Sequence, residues 1–119
     1  KYGIDLFTVL GYPKQIRPFY TMEDPNDARY TCSFDIFLRG QEIASGAQRV
    51  HEPEVLRQRL KEANVSEASL RDYVASFEWG TPPHGGAGFG MERLVMLFTG
   101  AGNIRECSMF PRDPKRLTP

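Results

Sequence analysis

Ser33-Phe34-Asp35-Ile36-Phe37-Leu38-Arg39-Gly40-Gln41-Glu42-Ile43-Ala44-Ser45-Gly46-Ala47-Gln48-Arg49 is the stretch whose reading decides the fold. Two apolar-rich runs flank Arg39-Gly40, a dipeptide suited to a tight turn. With a two-residue turn there, Phe37 faces Glu42 across the hairpin. Asp35 lies two residues from Phe37 and so shares its sheet face with Glu42. The two carboxylates become diagonal neighbours, about 7 Å apart at Cβ, within reach of one shared cation. Magnesium bound with a nucleotide takes carboxylate and phosphate oxygens in this way. A three-residue turn would put the two on opposite faces and remove the inference. The plain alternative is a solvated face where Asp and Glu alternate with core residues, Arg39 neutralising Glu42. Arg49, further along the same strand, is either a surface arginine or a bidentate clamp for a carboxylate ligand.

Outward from the hairpin, the N-terminal side reads as more strand. Asp5 to Leu10 is a strand ended by Gly11-Tyr12-Pro13, and Arg17 to Met22 reads as a second. Glu23 to Asp27 is a polar turn, and Arg29 to Leu38 and Gln41 to Val50 are two longer strands. No helix of any length fits before residue 50, and sequential strands joined by short turns pair antiparallel. At His51 the period changes. Glu52 to Ala63 has proline in its first turn, acidic residues early and basic ones late, with Val55, Leu56, Leu60 and Ala63 on one face. Ser66 is placed to cap a second helix carrying Leu70, Tyr73, Val74 and Phe77. The fold class is α+β, an antiparallel sheet with helices packed on one side.

The second informative run is Gly85-Gly86-Ala87-Gly88-Phe89-Gly90-Met91-Glu92-Arg93, followed by Leu94-Val95-Met96-Leu97-Phe98. Alternate glycines leave one strand face bare, so a flat ligand can lie against the backbone. Arg93 then supplies a fixed charge at the head of an apolar helix, suited to polyphosphate. The spacing is not that of a Rossmann loop, and the Gly-Lys-Ser/Thr of a Walker loop is missing. A glycine-rich turn before a core helix explains the run equally well when it is taken alone.

Composition narrows the classes. The 119 residues match one domain, with 40% hydrophobic and 25% charged residues, ordinary for a globular chain. Lys plus Arg equals Asp plus Glu, so overall charge does not argue for nucleic-acid binding and any RNA contact must be local. No apolar run approaches the ~20 residues of a membrane span. Cys32 and Cys107 form no metal-ligating pattern, so zinc is not indicated and two free thiols are expected. The chain opens on Lys1 and enters a strand-like pattern at once, which leads to the expectation of a piece of a larger protein.

The glycine strand with its Glu-Arg helix, the carboxylate hairpin, and the tail Asn103-Ile104-Arg105 and Phe110-Pro111-Arg112 occur in one order. Together they resemble the C-terminal part of the catalytic domain of class II aminoacyl-tRNA synthetases, Gly86 to Arg93 resembling the third signature motif. Arg17-Pro18-Phe19-Tyr20-Thr21-Met22, Ser45 to His51, Pro82 to Gly86 and Phe110 to Leu117 are similar to the aspartyl branch of the eukaryotic and archaeal type. The resemblance covers essentially the whole chain. It implies activation of aspartate with ATP to aspartyl-adenylate and transfer to the 3′ end of tRNA(Asp) by a cytoplasmic homodimer. By the same resemblance Arg93 is catalytic and binds ATP together with Glu42, Ser45, Gly88 and Gly90. Asp35, Glu42 and Ser45 hold Mg²⁺, and Arg49, Gly46, Gln48 and His84 bind aspartate. Gly46, Gly88 and Gly90 are expected to form a floor that tolerates no Cβ. The family's first two motifs and its anticodon-binding domain are expected to lie upstream, leaving the 119 residues inactive alone.

Three rivals remain at this stage. The asparaginyl branch resembles Gly-Gly-Ser-Glu-Arg where this chain has Ser45-Gly46-Ala47-Gln48-Arg49, and Gln48 supplies no acidic group for an amide. A synthetase-derived binding protein without catalysis is disfavoured by the joint presence of Asp35, Glu42, Arg49 and Arg93. An unrelated β-hairpin module fits only if the motifs are considered singly.

Overall fold

A computed structural model describes residues 3–118. Six strands and three α-helices follow in chain order: β1 (Leu6–Leu10), β2 (Glu23–Asp24), β3 (Asp27–Thr31), β4 (Ser33–Leu38), β5 (Gln41–Arg49), α1 (Pro53–Glu62), α2 (Arg71–Glu78), β6 (His84–Phe89) and α3 (Met91–Thr99). The main sheet has the order β1-β4-β5-β6, every pair antiparallel. β2 and β3 form a separate two-stranded ribbon. The expected α+β class is what the chain adopts.

Arg39-Gly40 is the two-residue turn, with Phe37 opposite Glu42 and Leu38 opposite Gln41. Both turn residues have positive φ, 50° and 80°, the geometry whose twist matches a hairpin. Past the turn, the register shifts: Ile36 pairs with Ala44, leaving Ile43 as an extra residue in β5. This bulge brings Asp35 opposite Ser45 rather than Ala44. The shift decides the composition of the site.

Three expected boundaries differ. Arg17 to Met22 forms no strand; Pro18 has no N–H to give a ladder, and its carbonyl instead accepts from the Thr21 N–H at 3.0 Å in a turn. The run expected from Arg29 to Leu38 breaks at Cys32, whose N–H goes to Met22 O and whose carbonyl takes the Gln48 N–H, both 2.9 Å. Glu23–Asp24 pairs as a strand with Asp27–Thr31 where Glu23 to Asp27 was expected to be turn only, the connection closed by Asn26 N–H donating to Asp24 Oδ1 at 2.8 Å.

The helices follow their signals more closely. α1 starts at Pro53, and Leu56 and Leu60 are buried, whereas Val55 and Ala63 are exposed. Arg59 takes their place against the core, donating to Phe19 O and to Glu62. Ser66 makes no side-chain cap; a short 3₁₀ turn, Glu67–Leu70, precedes α2. Gly100 ends α3 with φ 72° and its N–H on Met96 O, a left-handed C-terminal stop.

The core sits at one corner. Val50, Leu56, Leu60, Val74 and Phe77 pack together between the end of β5, α1 and α2. Arg57 clamps that corner from outside through Glu54, Glu67 and Glu78. Away from that corner the chain is bare: every residue of the edge strand β1 is exposed and α3 buries none of its side chains fully.

Candidate functional site

Directly opposed residues in an antiparallel sheet share a face. One face therefore carries the row Asp35, Ser45, Gly88, then Ala47 and Gly86, then Arg49 and His84. Glu42 joins it opposite Phe37. The other face carries Phe34, Gly46 and Ala87 in one row and Gln48 with Gly85 in the next.

Against the first face lies a cavity of about 270 Å³, lined by Arg17, Tyr20, Thr21, Ser45, Arg49 and Gly86 among others. Arg49 spreads its guanidinium over Gly86. A Cβ there would lie 2.5 Å from one terminal nitrogen and 2.9 Å from Cζ. The Tyr20 ring covers it from beside, 5.3 Å from Cζ to centroid. Among the described residues no carboxylate pairs with Arg49, whereas Arg17, Arg57, Arg59 and Arg93 each have at least one. The Thr21 hydroxyl, on the cavity wall and 1% exposed as a residue, is buried without a hydrogen-bond partner. The cavity thus offers an unmatched cation and an unmatched hydroxyl, the equipment for a small anionic, polar ligand.

The other end of the face is tightly paired. Ser45 Oγ donates to Asp35 Oδ1 at 2.6 Å and accepts from Arg17 at 2.9 Å. Arg17 also meets Asp35 Oδ1 at 2.8 Å, and its guanidinium lies over the Tyr12 ring at 4.0 Å. Burial by itself would raise the Asp35 pKa. Hydrogen bonds from Ser45, Arg17 and Tyr12, with the Arg17 charge, outweigh it and hold the carboxyl below its ordinary value. Tyr12 is pushed up, first by burial and then by its bond to the Asp35 carboxylate.

Arg93, at the start of α3, reaches back over Gly90 to the hairpin. It donates to the Glu42 carbonyl at 2.7 Å and approaches Glu42 Oε1 at 3.4 Å. Both side chains remain about two-fifths exposed, so this pair stays open to a ligand. Among the described residues no three His, Cys, Asp or Glu side chains are arranged to hold a metal ion by themselves. The edge instead offers two carboxylates and a hydroxyl, all hard oxygens. Asp35 and Ser45 already share one cationic partner in Arg17. That donor set fits magnesium, which takes one or two protein carboxylates and completes its shell with phosphates and water.

The sequence-predicted residues therefore divide. Asp35, Glu42, Ser45, Arg49, Gly88 and Arg93 lie on one face or at its rim. Gly88 has open space where a Cβ would point, and Gly90 is closed by Arg93 itself. His84 is opposite Arg49, its Nδ1 2.9 Å from Pro82 O and its ring against Phe77. Gly46 and Gln48 have their side-chain positions on the far face. The space beside Gly46 is filled by Phe34 and Ala87, so its lack of a Cβ serves packing on the far face, while its backbone lines the cavity beside Ser45 and Arg49. Gln48 is exposed opposite Gly85, so it gives no contrast between an acid and an amide ligand. Sequence reasoning missed Tyr12, Arg17 and Thr21. For Arg17 and Thr21 the signal was present in Arg-Pro-Phe-Tyr-Thr-Met, hidden by its reading as a strand; Tyr12 sits in the Gly11-Tyr12-Pro13 turn, which carried none.

An antiparallel sheet with a glycine strand, a carboxylate hairpin and an arginine heading the next helix defines a class II aminoacyl-tRNA synthetase catalytic fold. The chain belongs to that family: the model of class II tRNA synthetases (D, K and N) matches residues 1–114. Cytoplasmic aspartate–tRNA ligases are similar over the whole chain, 52% identical in Caenorhabditis elegans and 50% in Homo sapiens. The chain spans 22% and 24% of those two relatives. The solved aspartyl-tRNA synthetase of Entamoeba histolytica superposes over the whole chain with TM-score 0.92 at 52% identity, using 25% of that chain. The asparaginyl-tRNA synthetase of Pyrococcus horikoshii is more distant, TM-score 0.88 and 39% identity over 96% of this chain and 28% of its own. The expected resemblance to the aspartyl branch is borne out. Among the described residues no helix is long and apolar enough to cross a membrane.

Proposed function

We propose that this chain is the C-terminal part of the catalytic domain of an aspartate–tRNA ligase, which activates aspartate with ATP and transfers it to tRNA(Asp). The observation that carries this reading is Arg49: a guanidinium in a cavity, spread flat on a glycine, without a carboxylate partner among the described residues. The side-chain carboxylate of aspartate is a natural bidentate partner for it. An asparagine in its place would leave a cation unmatched, so charge rather than shape separates the two amino acids.

Adenylate formation asks little covalent help of a protein. It needs the substrate carboxylate held in line with the α-phosphorus, and it needs negative charge offset. Arg49, with Thr21 and Tyr20 around it, holds one end of the amino acid. Gly88 leaves room for the nucleotide beside it, and Arg93, half-exposed at the rim, faces the phosphates. Glu42, Ser45 and Asp35 are the residues that would hold magnesium, which when bound offsets phosphate charge. The bare sides of β1 and α3 support a further protein surface lying over them, from the rest of the polypeptide and from a second copy in a homodimer. The 119 residues alone are then expected to be inactive. The names of the relatives support a cytoplasmic location.

Aspartate-dependent ATP–pyrophosphate exchange by the intact protein, with asparagine as control, tests the reading. Exchange with aspartate only is expected. Exchange supported by asparagine and not by aspartate would overturn it.

A further inference from the structure

Along the edge formed by Asp35, Ser45 and Glu42, two carboxylates face two guanidiniums. Asp35 is matched by Arg17 at 2.8 Å and Glu42 by Arg93 at 3.4 Å. The edge therefore carries no net charge, although its oxygens are suitable ligands. Arg17 is not a loose surface group: its side chain is 12% exposed, lies on the Tyr12 ring and donates to the Ser45 hydroxyl as well as meeting Asp35. Both oxygens it touches are among those that would meet the metal.

We propose that Arg17 is a built-in counter-cation of this edge, a positioning residue that aligns Asp35 with Ser45 and keeps a free divalent cation out until nucleotide phosphates bring one. The proposal rests on the metal reading above. A guanidinium within 3 Å of a metal-facing oxygen repels a doubly charged ion, and the repulsion is strong where water is scarce. A bound triphosphate changes the balance by adding several negative charges from the open side. Arg17 need not move for this to happen, because the phosphates approach over Gly88 and Glu42, where the face is open.

The test measures Mn²⁺ binding to the intact protein by electron paramagnetic resonance, with and without ATP. Wild type is expected to bind Mn²⁺ weakly alone and well with ATP. Arg17→Gln, which keeps a hydrogen-bond donor for Asp35 and Ser45 but drops the charge, is expected to bind Mn²⁺ alone about tenfold tighter or more. Arg17→Lys keeps the charge and is expected to stay near wild type. A simple structural role predicts the opposite sign for Arg17→Gln, since a disordered edge binds metal less well. Unchanged or weakened Mn²⁺ binding in folded Arg17→Gln overturns the proposal, as does a gain in Arg17→Lys equal to that in Arg17→Gln. Should Arg17→Gln fail to fold, Arg17→Met, which also drops the charge, is measured in its place, a gain of the same size supporting the proposal and no gain overturning it. Glu42→Gln separates the two levels: if it leaves Mn²⁺ binding with ATP unaltered, the metal reading itself is wrong, whatever Arg17 does.

Discussion

Arg49 and Arg17 line the same cavity, and they differ in one respect that sets their chemistry apart. Arg17 has its charge matched by Asp35, donates to Ser45 and lies on the Tyr12 ring, all from its own chain, although its Nε makes no hydrogen bond. Arg49 lies flat on a glycine with a tyrosine ring beside it, and among the described residues it meets no carboxylate. A matched guanidinium orders its surroundings; an unmatched one in a cavity recognises something from outside. The cleanest way to break this contrast is Arg49→Ala. Loss of a desolvated charge pair costs about 3–5 kcal/mol, so kcat/KM for aspartate in pyrophosphate exchange should fall by roughly 10²- to 10⁴-fold. Discrimination against asparagine should shrink with it, because the loss falls on the charged substrate. Near-normal aspartate activation by that variant would remove Arg49 from the site.

Two glycines sharpen the contrast by lying on opposite faces. At Gly86 a Cβ would drive into the Arg49 guanidinium, and at Gly46 it would drive into Phe34 and Ala87. Gly86→Ala should displace the clamp and raise KM for aspartate by about 10- to 100-fold, the scale of a misplacement near 1 Å, with KM for ATP much less affected. Gly46→Ala should instead cost about 1–3 kcal/mol of stability through overpacking, measured by urea unfolding, with aspartate KM nearly unchanged. If both variants act on KM alike, the two-face division is wrong.

How much of this was legible from the sequence depends on what each residue answers to. The hairpin was legible because Arg39-Gly40 is a local signal, and local backbone chemistry fixed the turn as read. The face shared by Asp35 and Glu42 followed from that turn. The bulge at Ile43 was not legible, since a one-residue register shift is settled by packing across the sheet and not by either strand. It is the reason Ser45 stands opposite Asp35. Gly46 and Gln48 were assigned to the ligand through the resemblance, which carries no strand alternation, and alternation turns the side-chain position of each away from its neighbours Ser45 and Arg49. Arg17 escaped notice because its partners are far away in sequence, at Asp35 and Ser45, and because the apolar run after it imitated a strand. Motif positions thus pointed to the candidate site, while the partners that set each charge became visible only in the fold.

The smallest expected effect concerns the matched end, and its sign can be worked out. Asp35 has its folded pKa held below the ordinary 3.8 by Ser45, Arg17 and Tyr12 against the opposing effect of burial. A carboxyl with a depressed folded pKa contributes stability that is fully present above its unfolded pKa. The contribution diminishes as pH falls below 3.8 and is gone once pH has passed through the folded pKa. Protonated Asp35 no longer offsets Arg17, which is itself largely buried. Asp35→Asn mimics the protonated form at every pH. The stability gap between wild type and Asp35→Asn, followed by urea midpoint from about pH 6 to about pH 2, should be widest at the neutral end and close progressively on the acid side. A gap that is constant over this range would mean that Arg17 draws nothing from the Asp35 charge, and the distinction between a matched and an unmatched arginine would rest on hydrogen bonding alone.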